Sequence, residues 1–293
     1  RCCAIDSMMA ALFELYELDQ TDLTLFATGG YGRGELHPFS DVDLLLLSPN
    51  PIDEALNQKI SPFVAKLWDI GIDPALVVRS VEECDKACHD DITVATSLLE
   101  ARILAGNVAQ AGLPMQLLNK NWSQTKFYEA KMAEAKERYL KHNSTEYNLE
   151  PDLKNAPGGL RDIHTVGWIS KRYFRVTNLF GLVQQEFITE KEFDELQEAE
   201  DFLWLIRHHL HKIAKRNENR VLFDYQRLIA ERIGYRDNSH PNAAVEQFMR
   251  DYYRYAMSNS TLSEMLTQHY YETLIEARLP DEQRPVRKVI NER

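Results

Sequence analysis

The chain carries one stretch that decides its fold: Thr28-Gly29-Gly30-Tyr31-Gly32-Arg33-Gly34-Glu35-Leu36-His37-Pro38-Phe39-Ser40-Asp41-Val42-Asp43. An apolar run over residues 23–27 leads into it, and a second apolar run over residues 42–47 overlaps its end. This pattern predicts a strand, a glycine-rich loop and a second strand. Residues two apart on a strand point to the same face, so Asp41 and Asp43 are expected side by side where the second strand begins.

The paired aspartates indicate a bound cation. Neighbouring carboxylates each disfavour the ionised form of the other, and a divalent cation reverses that penalty. Carboxylate oxygens on a rigid strand suit Mg²⁺. The glycines beside them allow backbone N–H groups to come close to an anion, as in other phosphate-binding loops. We therefore interpret the stretch as a metal site next to a phosphate cradle.

The composition is typical of a soluble globular protein, with 44% hydrophobic and 27% charged residues. No apolar run is long enough to span a bilayer. The formal net charge of −11 argues against a general nucleic-acid binder, which would carry a basic surface. The four cysteines lack the spacing of a zinc site, and we interpret them as reduced thiols of a cytoplasmic protein. Because the chain begins with Arg1, we expect it to be a fragment.

Strands and helices alternate in the first part of the chain. A third short strand is predicted over 75–78, and Ser80 with Glu83 forms a capping-box pattern that begins a helix. A further helix is predicted over 92–105, where Gly106 ends it. Such alternation within a short segment indicates a small mixed sheet with helices, and hence an α+β fold.

Long amphipathic helices dominate the remainder. The clearest of them begins at a second capping box, Thr189 with Glu192. Its apolar residues recur three and four apart and predict a buried stripe: Leu196, Ala199, Leu203, Ile206, Leu210 and Ile213. We predict three parts, which are an α+β domain over 1–118, a mostly helical domain over 119–279 and a linker over 280–293.

The glycines, ten intervening residues and the Asp-x-Asp pair resemble the signature of the polymerase-beta-like nucleotidyltransferase superfamily. In that superfamily the glycine turn holds the triphosphate and the carboxylates hold two divalent ions. Longer motifs resemble a single family within it, the bacterial PII uridylyltransferase/uridylyl-removing enzymes, in their N-terminal nucleotidyltransferase portion. They are the runs over 29–38 and 40–45, Asn148-Leu149-Glu150-Pro151-Asp152-Leu153-Lys154 and Pro157-Gly158-Gly159-Leu160-Arg161-Asp162-Ile163-His164.

The resemblance implies transfer of UMP from UTP to a tyrosine of the PII nitrogen-regulatory protein, with release of pyrophosphate. It also implies Mg²⁺ or Mn²⁺ at the paired carboxylates. In the family a separate hydrolase domain removes UMP, and two further domains sense small molecules. We expect this chain to lack all three, with residues 280–293 leading toward the hydrolase. We expect neither nucleic acid nor a membrane as a partner.

The resemblance implies a third carboxylate from the next strand, and Asp73 is the best-placed candidate. The family usually shows Gly-His-Ser where this chain has Ala75-Leu76-Val77, so the local pattern departs from expectation. The predicted catalytic and metal-binding residues are thus Asp41, Asp43 and Asp73. The predicted nucleotide-binding residues are Gly29, Gly30, Arg33, Ser40, Lys154 and Arg161.

Physical arguments support these nucleotide contacts to different degrees. Arg33 lies among the glycines, which favours a phosphate contact over a solvated loop position. Ser40 could instead bond the backbone of its turn. Lys154 and Arg161 flank a Pro-Gly-Gly turn that leads into a helix, and a helix N-terminus with a cation attracts anions. Asp162 is expected to be the N-cap of that helix.

Two other functions stay open. Glutamine synthetase adenylyltransferase shares the Gly-Gly, Asp-x-Asp and Gly-Gly-x-Arg-Asp patterns, but its pattern lacks the long run over 30–38 as written here. A regulatory nucleotide-binding module would keep the fold with little catalytic activity. The changed segment over 75–77 is the only feature that favours such a module.

Overall fold

The computed structural model describes residues 1–141, 147–236, 239–240 and 242–278. Its fold is α+β, as the sequence predicts. The linker predicted over 280–293 lies outside the described residues.

A four-stranded mixed sheet forms around the glycine-rich stretch. Its strands, in the order β3-β2-β1-β4 across the sheet, are β1 (Thr24–Ala27), β2 (Val42–Ser48), β3 (Pro74–Ser80) and β4 (Arg102–Gly106). β2 is parallel to β3, whereas β1 is antiparallel to β2 and to β4. Ala27 pairs with Leu44, so the end of β1 lies beside the start of β2. The small mixed sheet is confirmed.

The helix predicted over 92–105 is wrong in its second half. The helix ends at Leu99, and the segment after it forms the edge strand β4. β4 is held by β1, a strand far earlier in the chain. Gly106 has φ +98°, and a Cβ on it would overlap the carbonyl oxygen of Leu23, so the two backbones touch there. Non-local pairing decides the state of this segment, and its own periodicity could not show that.

Helices form most of the described chain. They are α1 (Cys2–Leu15), α2 (Gly29–Gly32), α3 (Glu54–Asp69), α4 (Val81–Asp90), α5 (Ile92–Leu99), α6 (Leu113–Asn121), α7 (Gln124–Lys141), α8 (Leu160–Phe174), α9 (Phe180–Gln184), α10 (Glu190–Ala214), α11 (Phe223–Arg232) and α12 (Ala243–Tyr270). Both predicted capping boxes form, at α4 and α10. The predicted stripe on α10 is buried except for Ile213, which is partly buried. None of the helices in the described ranges combines the length and apolar character needed to cross a membrane.

One apolar core connects the sheet to the later helices. It joins Phe26 and Leu47 of the sheet to Phe127 of α7 and Trp168 of α8. This packing fixes α8 over the end of the sheet where the glycine-rich stretch lies. The core contains residues on both sides of the domain boundary predicted at residue 118, and that boundary stays a prediction.

Candidate functional site

A cleft of about 300 Å³ lies where β1 ends and β2 begins, with α5, α7, α8 and α10 around it. Its cationic lining residues are Arg33, Lys131, Lys154, Arg161 and Arg207. Its carboxylate lining residues are Glu35, Asp41, Asp43, Glu100 and Glu134. Cations and carboxylates are therefore equal in number here, although the chain as a whole has a net charge of −11. A cleft of this kind suits an anion that binds together with a metal cation.

Gly29 sets the distance between the loop and the carboxylate pair. The chain leaves β1 and forms one helical turn, α2, that begins at this residue. Gly29 has φ +53°, and a Cβ on it would overlap Oδ2 of Asp43. The backbone N–H of Thr28 donates to the carbonyl oxygen of Asp43 at 3.0 Å. Glycine is thus required where the loop touches the carboxylate. Contact of Gly29 and Gly30 with a phosphate stays a prediction.

Asp41 and Asp43 both line the cleft, as the alternation of a strand predicts. Asp41 is exposed and Asp43 is partly buried. Burial and then the charge of Asp41 raise the pKa of Asp43 to about 6, and the charge of Lys154 offsets this only in part. Across the described ranges neither carboxylate forms a salt bridge. The donor set, which consists of oxygens only, fits Mg²⁺ or Mn²⁺.

The third predicted carboxylate, Asp73, is exposed and does not line the cleft. Its carbonyl oxygen accepts a hydrogen bond from the N–H of Val42 at 2.9 Å, which pins the start of β3 to β2. Its role as a ligand stays a prediction. Glu100 is the buried carboxylate that lies in the cleft beside the pair, and its charge contributes to the raised pKa of Asp43. The sequence does not reveal it, because the pattern of the segment around it predicts one continuous helix.

Arg33 lies in the cleft between two carboxylates. Its Nη1 forms a salt bridge with Glu100, and its Nη2 lies 3.0 Å from Oε2 of Glu35. Burial lowers the pKa of Arg33, but the charges of Glu100 and Glu35 outweigh it and the net shift is upward. The guanidinium therefore stays charged. A phosphate contact by Arg33 stays a prediction. A phosphate there would have to share the guanidinium with both carboxylates.

Lys154 and Arg161 also line the cleft, and in the described part of the chain neither forms a salt bridge. The backbone N–H of Arg161 donates to the carbonyl oxygen of Lys154 at 2.9 Å. The two cationic side chains therefore extend from residues that are joined by a backbone hydrogen bond. Burial, then the charges of Arg161 and Arg207, lower the pKa of Lys154 to about 8, while Asp41 and Asp43 act in the opposite direction. A bound anion would relieve the repulsion among these cations.

The prediction that Asp162 is the N-cap of α8 is wrong. The N-cap is Gly159, and Asp162 lies within the first turn of the helix. Its carboxylate accepts a hydrogen bond from the backbone N–H of Gly158 at 2.7 Å and forms a salt bridge with Arg138 at 2.7 Å. The turn before α8 folds back over the first residues of the helix. The carboxylate of Asp162 therefore stabilises this turn from a position within the helix.

The loop that leads into β2 is anchored to the helical part. Ser40 lines the cleft, and its backbone N–H donates to the carbonyl oxygen of His37 at 3.3 Å. The ring centroids of His37 and Trp204 of α10 lie 4.6 Å apart. Ser40 is therefore part of a tight turn whose position depends on α10, and its contact with nucleotide stays a prediction.

A second cavity, of about 320 Å³, shares the wall formed by Arg33, Glu35, His164 and Trp168 with the cleft. Glu35, His164 and Glu200 could offer a metal three ligand atoms within 4.8 Å of one another. The Nη2 atom of Arg33 lies 3.0 Å from Oε2 of Glu35 and 3.3 Å from Nε2 of His164. Because the guanidinium of Arg33 already lies against two of the three members, Glu35 and His164, we assign no metal to the group.

Besides Glu100, the sequence did not reveal Lys131, Glu134, Trp168 or Arg207 as lining residues. They lie on long helices and outside the glycine-rich and Pro-Gly-Gly motifs, and packing decides which side of each helix faces the cleft. One signal was available for α8: Arg161, His164 and Trp168 are spaced three and four apart and share one helix face.

Models of two known protein families together match most of the chain. A family model described as "GlnD PII-uridylyltransferase" matches residues 126–267, and one described as "Nucleotidyltransferase domain" matches residues 10–98. A bifunctional uridylyltransferase/uridylyl-removing enzyme of Psychrobacter sp. (strain PRwf-1) is 63% identical over 100% of the chain. Enzymes with the same name from Psychrobacter arcticus and Acinetobacter baumannii (strain AYE) are 61% and 50% identical, over 100% and 98% of the chain. The chain spans 33%, 32% and 33% of the lengths of these three relatives, about one third in each case.

Proposed function

Because this chain belongs to the family of bifunctional uridylyltransferase/uridylyl-removing enzymes, we propose that it transfers UMP from UTP to a tyrosine of a PII signal protein in the cytoplasm. One observation carries the proposal. Asp41 and Asp43 share a cleft with Lys154 and Arg161, and none of the four has a salt-bridge partner among the described residues. Such a cleft can hold a metal-bound nucleoside triphosphate.

In the proposed reaction the tyrosine oxygen forms a bond to the α-phosphorus of UTP. The bond from that phosphorus to the bridging oxygen of the β-phosphate breaks, pyrophosphate leaves, and the phenolic proton passes to solvent. Asp41 and Asp43 would hold Mg²⁺ or Mn²⁺, which when bound supplies positive charge at the α-phosphate and favours the phenolate of the attacking tyrosine. Gly29 and Gly30 would approach the phosphates through their backbone. Lys154 and Arg161 would stabilise the negative charge that the leaving pyrophosphate gains.

Two carboxylates are candidates for the third metal ligand that the resemblance implies. Asp73 is the candidate from the sequence, and Glu100 is the one that lies in the cleft. Oε1 of Glu100 accepts from both Arg33 and Trp168, which leaves Oε2 as its remaining oxygen. The variant Asp73→Asn tests the first of these candidates.

The direct test combines the chain with PII protein, Mg²⁺ or Mn²⁺, and UTP or ATP labelled at the α-phosphate. We expect label from UTP, and not from ATP, to become covalently attached to PII through tyrosine. Transfer of AMP to another acceptor would indicate an adenylyltransferase. Nucleotide binding without transfer would indicate a regulatory module. Either of these two results contradicts the proposal.

Gly29→Ala is expected to reduce UMP transfer about 10²-fold, the order of effect that a misplacement of roughly 1 Å has on a reacting group. The new Cβ would overlap Oδ2 of Asp43, so the carboxylate must move from the position in which it would hold the metal. Initial rates at saturating UTP measure the effect.

Gly34→Ala is the matched control for this variant. Gly34 lies in the same loop with φ +85°, and a Cβ on it meets no atom within 4 Å. Both variants place alanine in the left-handed region, so both should lose stability in urea unfolding. Only Gly29→Ala should lose activity. Equal losses of activity in the two variants would show that backbone strain, and not the contact with Asp43, is responsible.

A further inference from the structure

Trp168 contacts several of the charged groups that line the cleft, although the residue itself is only 2% exposed. Its indole Nε1–H donates to Oε1 of Glu100. The Nζ atom of Lys131 lies 4.1 Å from the centroid of its ring, and Cζ of Arg161 lies 5.3 Å from it. These distances are within the range of cation–π interactions, which are strongest where the cation is removed from water.

Glu100 extends these contacts to a third cation. Nη1 of Arg33 donates to the same oxygen, Oε1, that accepts from Trp168. Glu100 is 5% exposed, so its carboxylate has little water available as an alternative partner. One buried indole is therefore in contact, directly or through one carboxylate, with three of the cations that line the cleft.

The burial of Lys131 shows why its contact with the ring of Trp168 is needed. The residue is 1% exposed, and burial lowers its pKa. Its one salt bridge in the described part of the chain is with Glu134, a partner three residues further along α7. A buried ammonium with a single carboxylate partner is costly, and the aromatic face supplies a second favourable contact.

We infer that Trp168 is a positioning residue for phosphate binding: its ring holds Lys131 and Arg161, and its N–H, through Glu100, holds Arg33. The three cations are thereby aimed at the phosphates of a bound nucleoside triphosphate. The inference deepens the proposed function and rests on it for the identity of the ligand. It does not depend on which base is bound or which acceptor is modified.

The test measures dissociation constants of Trp168→Leu and Trp168→Phe, with Mg²⁺ present, for UTP, UMP and inorganic tripolyphosphate. Trp168→Leu removes both the ring and the N–H. We expect it to weaken binding of UTP and tripolyphosphate about tenfold or more, since two cation–π contacts are lost. Binding of UMP, which has a single phosphate, should weaken much less. Trp168→Phe keeps an aromatic face and should recover most of the lost affinity for tripolyphosphate.

Trp122 provides the matched control, because it is a buried tryptophan in the same apolar core that does not line the cleft. Its Nε1–H donates to the carbonyl oxygen of Cys88 at 2.6 Å, and Nζ of Lys126 lies 4.4 Å from its ring centroid. Trp122→Leu should lower the urea midpoint as Trp168→Leu does. It should leave the ratio of UTP affinity to UMP affinity unchanged.

Three results would count against the inference. Equal weakening of UTP and UMP in Trp168→Leu, or the same change of ratio in Trp122→Leu, would mean that Trp168 only supports the fold. A Trp168→Phe variant as weak as Trp168→Leu would overturn the role of the aromatic face. Wild-type protein that binds tripolyphosphate but transfers no UMP would contradict the proposed function and leave this inference standing.

Discussion

Asp43→Asn is expected to reduce the rate of UMP transfer by at least about 10²–10³-fold, the cost of removing one preorganised electrostatic group at a reacting centre. The amide keeps the shape of the side chain but loses the charge that would hold a divalent cation. Asp43 is the partly buried member of the pair, and its backbone is fixed by β2 and by the hydrogen bond from Thr28. The double variant Asp41→Asn with Asp43→Asn should show no measurable transfer. Initial rates with labelled UTP and PII protein provide the measurement.

Asp73→Asn is the control that also tests the third carboxylate. This side chain is exposed and does not line the cleft, so the variant should transfer UMP at a rate close to wild type. A large loss in Asp73→Asn would instead confirm the ligand that the sequence predicts. Activity near wild type in the double variant at Asp41 and Asp43 would show that the site is misassigned, whatever the behaviour of Asp73.

The sequence predicts the part of the cleft lining that is local in the chain. The positions of Gly29, Asp41 and Asp43 follow from two apolar runs, a loop and the alternation of side chains on a strand. Each of these features is determined within about twenty residues, and the start of β2 keeps both carboxylates at the cleft. The sequence also predicts the turn between Lys154 and Arg161, because a Pro-Gly-Gly turn followed by a helix is a local pattern.

The parts that the sequence did not reveal depend on contacts between distant segments. The edge strand β4 forms because it pairs with β1, and the misassignment of that segment concealed Glu100 just before it. Lys131 and Trp168 face the cleft because α7 and α8 pack against the sheet through a shared core. Amphipathic periodicity identifies the buried side of a helix, but it does not show which polar residues at its edge reach a cleft.

Arg138→Ala is expected to destabilise the protein by about 3–5 kcal/mol, the typical cost of removing one partner from a buried ion pair. The side chain of Asp162 is 1% exposed and that of Arg138 is 12% exposed. Without the guanidinium, the buried carboxylate has no salt-bridge partner left among the described residues and keeps the neutral N–H of Gly158 as a donor. Urea unfolding at neutral pH measures the effect. Lys191→Ala removes an exposed partner of Glu195, with side chains 86% and 40% exposed, and should change stability by about 0–1 kcal/mol.

The pH dependence of Arg138→Ala follows from the same pair. Burial raises the pKa of Asp162, and the charge of Arg138 lowers it, so removal of Arg138 raises the folded-state pKa further. The folded variant then binds a proton more tightly than the unfolded chain, in which an aspartate has a pKa of about 3.9. The destabilisation should therefore be largest above the raised pKa and should shrink as the pH falls through it. Addition of Asp162→Asn to Arg138→Ala should recover part of the stability at neutral pH, because an amide needs no counter-charge. A double variant as unstable as Arg138→Ala, at every pH, would show that lost packing and not the unpaired charge is the cause.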